Sequence, residues 1–286
     1  MEEKKYSEDY TLTELMIVAS AREIRDGDVV FIGTGLPFLA CALAKKTHAP
    51  DLVPCSEQGQ IDANPLLWRT PRAIGDLALT AGAKMTTDLI SVMHRLTYGE
   101  FDLGFLSGAQ VDKYGNVNST CIGDYRKPKV RFPGSGGANA IATFAKRHLL
   151  IFVHKKHQFV DKVDYITSPG YLTGPGSREK AGCPAGTGPV AVITTLGVLR
   201  FDNDTKEMYL DTVHPNVTVE EVKDNTTWDL KVSPNVRQTE PPTVEQIGII
   251  REELDPFGIY LRREEFQKKA IEFLTNGRSQ TAVTHE

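Results

Sequence analysis

The chain has 286 residues, a formal net charge of −4 and a pI of about 6.0, with 40% hydrophobic and 24% charged residues. That length supports one large α/β domain or two small ones, and the lack of a basic excess argues against a nucleic-acid partner. The charged start MEEKKYSEDY carries no apolar targeting core and no stretch is apolar for long enough to span a bilayer, so no membrane is involved and a cytoplasmic location is expected. Cys41, Cys55, Cys121 and Cys183 are far apart with no CxxC pair, which reads as free thiols in a reducing compartment.

Thr11 with Glu14 fits a capping box, opening a helix over roughly 12–25 that Asp26-Gly27-Asp28 stops. The continuously apolar VVFIG (29–33) predicts a buried parallel strand, GTGLP a tight turn, and 38–47 a second helix. DLVPCS (51–56) predicts the next strand. Pro54 is placed near its end or at a bulge, because proline cannot donate to a ladder. Residues 101–112 predict a strand running into a loop, and KYGNVNST a turn. A glycine cluster, FPGSGGAN, opens a helix near Ala138, followed by a buried strand in LLIFVHK. The glycine- and proline-rich segment 167–189 reads as one long loop, functional or mobile. Three short strands after it predict a β-meander, and Thr218 with Glu221 and Thr243 with Gln246 start two late helices. With no repeat or linker, a single domain over 1–262 is expected, with 263–286 as a charged C-terminal extension.

Alternation of helix and strand implies an α/β fold, a mostly parallel open sheet flanked by helices with a small β-meander. Sites in such sheets sit beyond the carboxyl ends of the strands. Gly33-Thr34-Gly35 and Ser56-Glu57-Gln58-Gly59 both fall there, so Glu57 is held over a crevice rather than merely starting a solvated turn. The plain role of the glycines in GTGLP and GSGGAN is turn chemistry. The sharper one is that their backbone N–H groups face an anion. Neither loop matches a nucleotide fingerprint: GTGLPF lacks the third glycine of GxGxxG, and there is no GxxxxGK[ST].

SEQG (56–59) resembles the signature of class I coenzyme A transferases, in which the glutamate is the nucleophile. PGSGGAN (133–139) resembles the family's second glycine motif, which supplies oxyanion contacts. IGTGLP, SGAQVDKYGNVNSTCIGDY and DYITSPG complete a pattern similar to the B subunits of glutaconate CoA-transferases, running from about residue 13 to about 256. Gln58 departs from the family's Asn or Ser, and Cys55 lies two residues before the acid. Related proteins on this scaffold have lost the transferase glutamate and become decarboxylases or C–C bond hydrolases, one such group with a cysteine at that position; here the position is Glu57.

The resemblance implies ping-pong transfer of coenzyme A from an acyl-CoA to a free (di)carboxylic acid through a glutamyl-CoA thioester on Glu57. Backbone N–H groups of Gly136, Gly137 and Ala138 would hold the oxyanion, and Gly33 and Gly35 would let backbone approach the adduct. It implies no cofactor, coenzyme A being a substrate, and no metal. It also implies a separate A subunit within a higher hetero-oligomer, with this chain inactive alone. The competing functions are a CoA-thioester decarboxylase or C–C bond hydrolase with Glu57 as base, and a non-catalytic ligand sensor.

Other residues carry weaker expectations. His154 and His157, spaced H-x-x-H along a predicted strand, face opposite sides, so they do not converge on a metal and read as surface or loop histidines. Cys55 reads as a small buried apolar group. Asp124, Tyr125 and Arg126 are candidates for substrate or subunit contact, with structural hydrogen bonding an equal alternative. Lys155 and Lys156 are candidates for attracting CoA phosphates but read first as solvated. Arg178 with Glu179 is a weak candidate for ordering at an interface.

Overall fold

The computed structural model describes residues 4–63, 71 and 73–261. In chain order the elements are α1 (Leu12–Ala21), β1 (Val29–Ile32), α2 (Leu36–Lys46), β2 (Val53–Ser56), β3 (Gln60–Ile61), β4 (Met85–Thr86), α3 (Leu89–Thr97) and β5 (Leu103–Leu106). Then come β6 (Gln110–Val111), β7 (Val117–Asn118), β8 (Cys121–Ile122), β9 (Val130–Arg131), α4 (Ala138–Phe144) and β10 (Arg147–Phe152). The last are α5 (Ser177–Lys180), β11 (Gly188–Thr194), β12 (Gly197–Phe201), β13 (Met208–Val213), α6 (Val219–Asp224), β14 (Lys231–Gln238) and α7 (Val244–Gly248), which runs on into a wide helical turn, Ile249–Leu254.

Ten strands form one sheet in the order β14-β13-β12-β11-β10-β5-β1-β2-β3-β4. The run β11-β10-β5-β1-β2 is parallel throughout. The chain leaves β1 toward β2 on one side and returns to β5 on the other, so the order reverses between β1 and β5. β11, β12 and β13 form the expected antiparallel meander. β14, which the sequence reading did not anticipate, adds parallel to β13.

Period-two alternation sorts the central strands into two cores. Val30, Ile32, Leu103, Phe105, Leu149 and Ile151 face α1, α2 and the wide turn. Phe31, Leu106, Leu150, Phe152 and Val192 face the side that carries α3, α4 and α6. The Thr11–Glu14 capping box forms as expected, and Glu14, buried, also pairs with Arg251 of the wide turn at 2.7 Å. No helix among the described residues is long and apolar enough to cross a membrane.

Several boundaries differ from expectation. α1 ends at Ala21 rather than near 25, because Arg22–Asp28 tighten into turns, with Asp28 N–H on the Arg25 carbonyl. Pro54 is the second residue of β2, not its end. Val53 gives its N–H to Asp28 on the β1 side, so the proline nitrogen turns away from β1 toward β3, which pairs with β2 only from Cys55 onward. β10 stops at Phe152, and His154 is buried just beyond it, not at the surface. Its ring stacks on Phe159 at 3.7 Å between the hydroxyls of Thr194 and Thr226. His157 is exposed. The segment 167–189 is largely pinned, for Arg178 within α5 is 1% exposed, buried in its own chain rather than at an interface. The C-terminal extension lies outside the described residues.

Three buried histidines are expected to make the fold acid-labile. Burial pushes His148 and His154 down to about 3 and His214 to about 4. The unfolded chain, with histidines near 6.5, takes up protons first as pH falls. Stability is therefore full above about 6.5 and is lost on acidification toward the folded values. At pH 5 each ring costs about 2 kcal/mol. Asp112 acts the other way: burial holds its carboxyl up to about 6, so protonation returns about 1 kcal/mol at pH 5. The expected result is a net loss of roughly 4–5 kcal/mol between pH 7 and pH 5, read as a steep fall in urea midpoint. A flat midpoint over that range would contradict it.

Candidate active site

Glu57 opens the turn that follows β2. The turn closes with Gly59 N–H on the Ser56 carbonyl at 3.1 Å, and the Ser56 hydroxyl is hydrogen-bonded to the Gln60 carboxamide oxygen. Gly59 sits at φ +101°, and its carbonyl accepts the Thr87 N–H at 2.9 Å. A methyl group there would lie 2.1 Å from the Thr87 carbonyl oxygen, so only glycine fits. The acid is thus carried on a short turn clamped to the 87–88 segment from one side and to β2 from the other. Gln58 points outward and is exposed, whereas Glu57 is half-buried.

The glycine loop comes to it from the other side of the sheet order. α4 starts at Ala138 with Gly137 as its cap residue. A methyl group on Gly137 would lie 2.9 Å from Oε1 and 3.5 Å from Cδ of Glu57, and 3.9 Å from the Phe31 ring. The Glu57 carboxyl is therefore lodged against the bare α-carbon of Gly137. Of the three expected backbone donors, Ala138 already gives its N–H to the Ser135 carbonyl at 2.9 Å. Among the described residues, the N–H groups of Gly136 and Gly137 are given to no acceptor.

Gly33 and Thr34 follow β1 at the reversal of strand order. They line a cleft of about 370 Å³ with Pro37, Phe105, Ser107 and Val153, at the carboxyl ends of β1, β5 and β10. Gly35, at φ +83°, turns the chain into α2. The GTGLP loop thus borders the crevice where ligands of open α/β sheets bind. Among the described residues, a methyl group added at Gly33 or Gly35 would meet nothing within 4 Å, Glu57 included.

The sequence reading placed KYGNVNST as a turn and as part of the family pattern; the segment also frames the glycine loop. Asn116 donates from its carboxamide nitrogen to both oxygens of Asp112 and to the Leu172 carbonyl, and accepts from Gly170 and Leu172 N–H. Asn118 accepts from Thr120 and Cys121 N–H and donates to Gln110 and the Cys121 carbonyl. Ser119 then holds Gly134 twice: its hydroxyl donates to the Gly134 carbonyl at 2.9 Å, and its carbonyl accepts the Gly134 N–H at 3.1 Å. Asn-rich turns with more than one carboxamide in a few residues are a legible signal for such cross-bracing. Cys55 is buried in the core beneath the turn, its thiol pushed up to about 12 by burial, which suits a packing group and not a nucleophile.

The model of the coenzyme A transferase family matches residues 13–225. The B subunit of the glutaconate CoA-transferase of Acidaminococcus fermentans is 43% identical over 253 residues, 87% of this chain and 94% of that one. The crystal structure of glutaconate coenzyme A-transferase from that organism superposes with a TM-score of 0.84, covering 91% of this chain and 100% of that one at 40% identity. The B subunit of the 3-oxoadipate CoA-transferase of Pseudomonas knackmussii is 42% identical over 85% of this chain and 92% of its own. The decarboxylase AibA/AibB shares the fold at 27% identity with a TM-score of 0.73, over 85% of this chain and 94% of that one. A mostly parallel sheet, a glutamate over its carboxyl edge, a glycine loop against that glutamate and a match along most of the chain agree: this chain belongs to the coenzyme A transferase family.

Proposed function

We propose that the chain is the B subunit of a heteromeric CoA-transferase that moves coenzyme A between an acyl-CoA and a free carboxylic acid, with Glu57 as the covalent carrier. A dicarboxylic acid is the expected substrate class, in keeping with the relatives named for glutaconate and 3-oxoadipate. The observation that carries this reading is the Glu57 carboxyl packed on Gly137 beside two unengaged backbone donors.

One Glu57 oxygen adds to the thioester carbonyl, and the C–S bond breaks to give an acyl-glutamyl anhydride and CoA thiolate. The thiolate adds to the glutamyl carbonyl, and the donor acid leaves as its carboxylate, so Glu57 becomes the CoA thioester. The acceptor carboxylate then runs both steps in reverse. Each addition places negative charge on a carbonyl oxygen. The Gly136 and Gly137 N–H groups are the donors left to take that charge, a device worth roughly 3–4 kcal/mol per donor in other enzymes. The clamped turn holds the nucleophile in attack position. No cofactor is needed, because a thioester is exchanged for a thioester. The relatives are named as B subunits, so a separate A subunit completes the site, in a hetero-oligomer of the cytoplasm.

The test is chemical capture. The complex with its A subunit is incubated with acyl-CoA, reduced with borohydride, digested and mapped. Reduction at Glu57, absent in Glu57→Gln, is the expected result. Turnover with Glu57 unmodified would instead favour decarboxylase or hydrolase chemistry with Glu57 as a base, the reading to which the fold shared with AibA/AibB lends support.

A further inference from the structure

The Gly136 and Gly137 donors lie on a stretch that packing does little to hold. Gly134 and Gly136 sit at φ +98° and +49°. A methyl group at either would meet nothing within 4 Å, and Pro133 and Gly136 are exposed. The donors must nevertheless stay aimed beside the Glu57 carboxyl, because misplacement by about 1 Å costs on the order of 100-fold in rate. Hydrogen bonds are left to fix the loop.

Those bonds converge on Ser119 and its neighbour. Phe132 N–H is given to the Thr120 carbonyl at 2.9 Å and Gly134 N–H to the Ser119 carbonyl at 3.1 Å, while the Ser119 hydroxyl donates to the Gly134 carbonyl at 2.9 Å. Among the described residues, no other side chain hydrogen-bonds the stretch 132–137. Ser119 is itself held from behind. Its N–H is on the Thr167 hydroxyl at 2.9 Å, and that oxygen shares a further hydrogen bond of 2.7 Å with the Thr120 hydroxyl. Thr167 is buried and tied in turn to β7: the Val117 carbonyl accepts the N–H groups of Thr167 and Ser168 at 2.9 and 3.0 Å, and Val117 N–H is on the Ser168 carbonyl at 3.0 Å. A line of short contacts thus runs from residues 167–168 through Ser119 to the glycine loop.

We infer that Ser119 is a positioning residue for the transfer reaction: its hydroxyl, by holding the Gly134 carbonyl, sets where the Gly136 and Gly137 N–H groups stand against Glu57, and the Thr167 hydroxyl sets Ser119. The inference rests on the transferase reading and extends it. The Ser119 proton is committed to Gly134, so the hydroxyl acts through the loop and not on a ligand. Its loss therefore slows the additions at Glu57, where charge develops, and leaves substrate binding nearly as it was.

The test uses the complex with its A subunit, in wild-type form and as Ser119→Ala, Ser119→Thr and Thr167→Val. Each is mixed with excess acyl-CoA and no acceptor acid, quenched at intervals and reduced with borohydride, and the trapped Glu57 is counted by peptide mapping. For Ser119→Ala the expected result is a labelling rate lower by about 10- to 50-fold, the same final extent of labelling, and a KM for acyl-CoA within twofold of wild type. Ser119→Thr, which keeps the hydroxyl, should return the rate to within about threefold of wild type, and Thr167→Val should slow it by about 3- to 10-fold at full extent. A Ser119→Ala complex that labels fewer sites at the wild-type rate would make the residue merely structural and overturn the inference. So would a raised KM at an unchanged rate, which would put the hydroxyl on the substrate. Should Ser119→Ala fail to assemble with the A subunit, Thr167→Val decides: slowed labelling at full extent supports the inference, and the wild-type rate overturns it. A labelled wild type beside variants that match it removes this inference alone. A wild type that turns over acyl-CoA without labelling at Glu57 removes the transferase reading and this inference with it.

Discussion

Gly137→Ala is expected to lower kcat by about 100-fold with little change in thermal stability. The added methyl would stand 2.9 Å from Oε1 of Glu57, inside contact distance, so the carboxyl must move aside. Displacement of a reacting group by about 1 Å costs on the order of 100-fold in rate. Backbone strain does not explain the loss, because Gly137 has φ −77° and ψ −8°, which alanine adopts freely. Gly136→Ala is the informative contrast. Gly136 has φ +49° with open space where a side chain would go, so alanine there strains the backbone by about 1 kcal/mol without touching Glu57. Steady-state kinetics and the rate of borohydride-sensitive labelling report the difference. A Gly137→Ala enzyme with wild-type kcat would show that the contact between glycine loop and carboxyl is irrelevant to the chemistry.

Arg178→Met is expected to cost about 3–5 kcal/mol of stability, a fall in Tm of roughly 6–15 °C by thermal denaturation of the purified protein. The guanidinium reaches the carbonyls of Pro169 and Gly170 with one nitrogen. With another it reaches Ala142, Thr143 and the Thr187 hydroxyl. Ala142 and Thr143 belong to the last turn of α4, whose final carbonyls lack helical partners. A cation there also suits the negative end of the helix. Arg178 therefore ties the 167–189 segment to the far end of the helix whose first turn carries the glycine loop. Burial lowers its pKa from the usual arginine range, yet the carbonyls around it favour the charged form. Methionine fills the volume and leaves those acceptors bare. Lys in place of Arg keeps the charge but loses the fork, and should recover only part of the loss. An unchanged Tm in Arg178→Met would mean that solvent satisfies the carbonyls after rearrangement.

Local chemistry determined much of this protein from its residue order alone. The Thr11–Glu14 box, the apolar runs of β1 and β10, the meander after Pro189 and the helix start at Ala138 depend on interactions within a few residues or on hydrophobic period, and all are legible without coordinates. The glutamate after VPCS and the glycines of GSGGAN could be nominated for the same reason: strand ends and glycine turns are local features. What only the tertiary structure decided involves partners far apart in sequence. Gly137 meets Glu57 across 80 positions because β2 and α4 are brought together by a sheet order that reverses between β1 and β5. His154 sits two residues past a strand end and reads as a surface group until Phe159, Thr194 and Thr226 close over it. Arg178 reads as a loop cation until the carbonyls of α4 and of residues 169–170 are seen to converge on it. Charged and polar side chains carry no periodic signature of burial, since their place depends on whether distant acceptors happen to gather around them, and only folding brings those acceptors together.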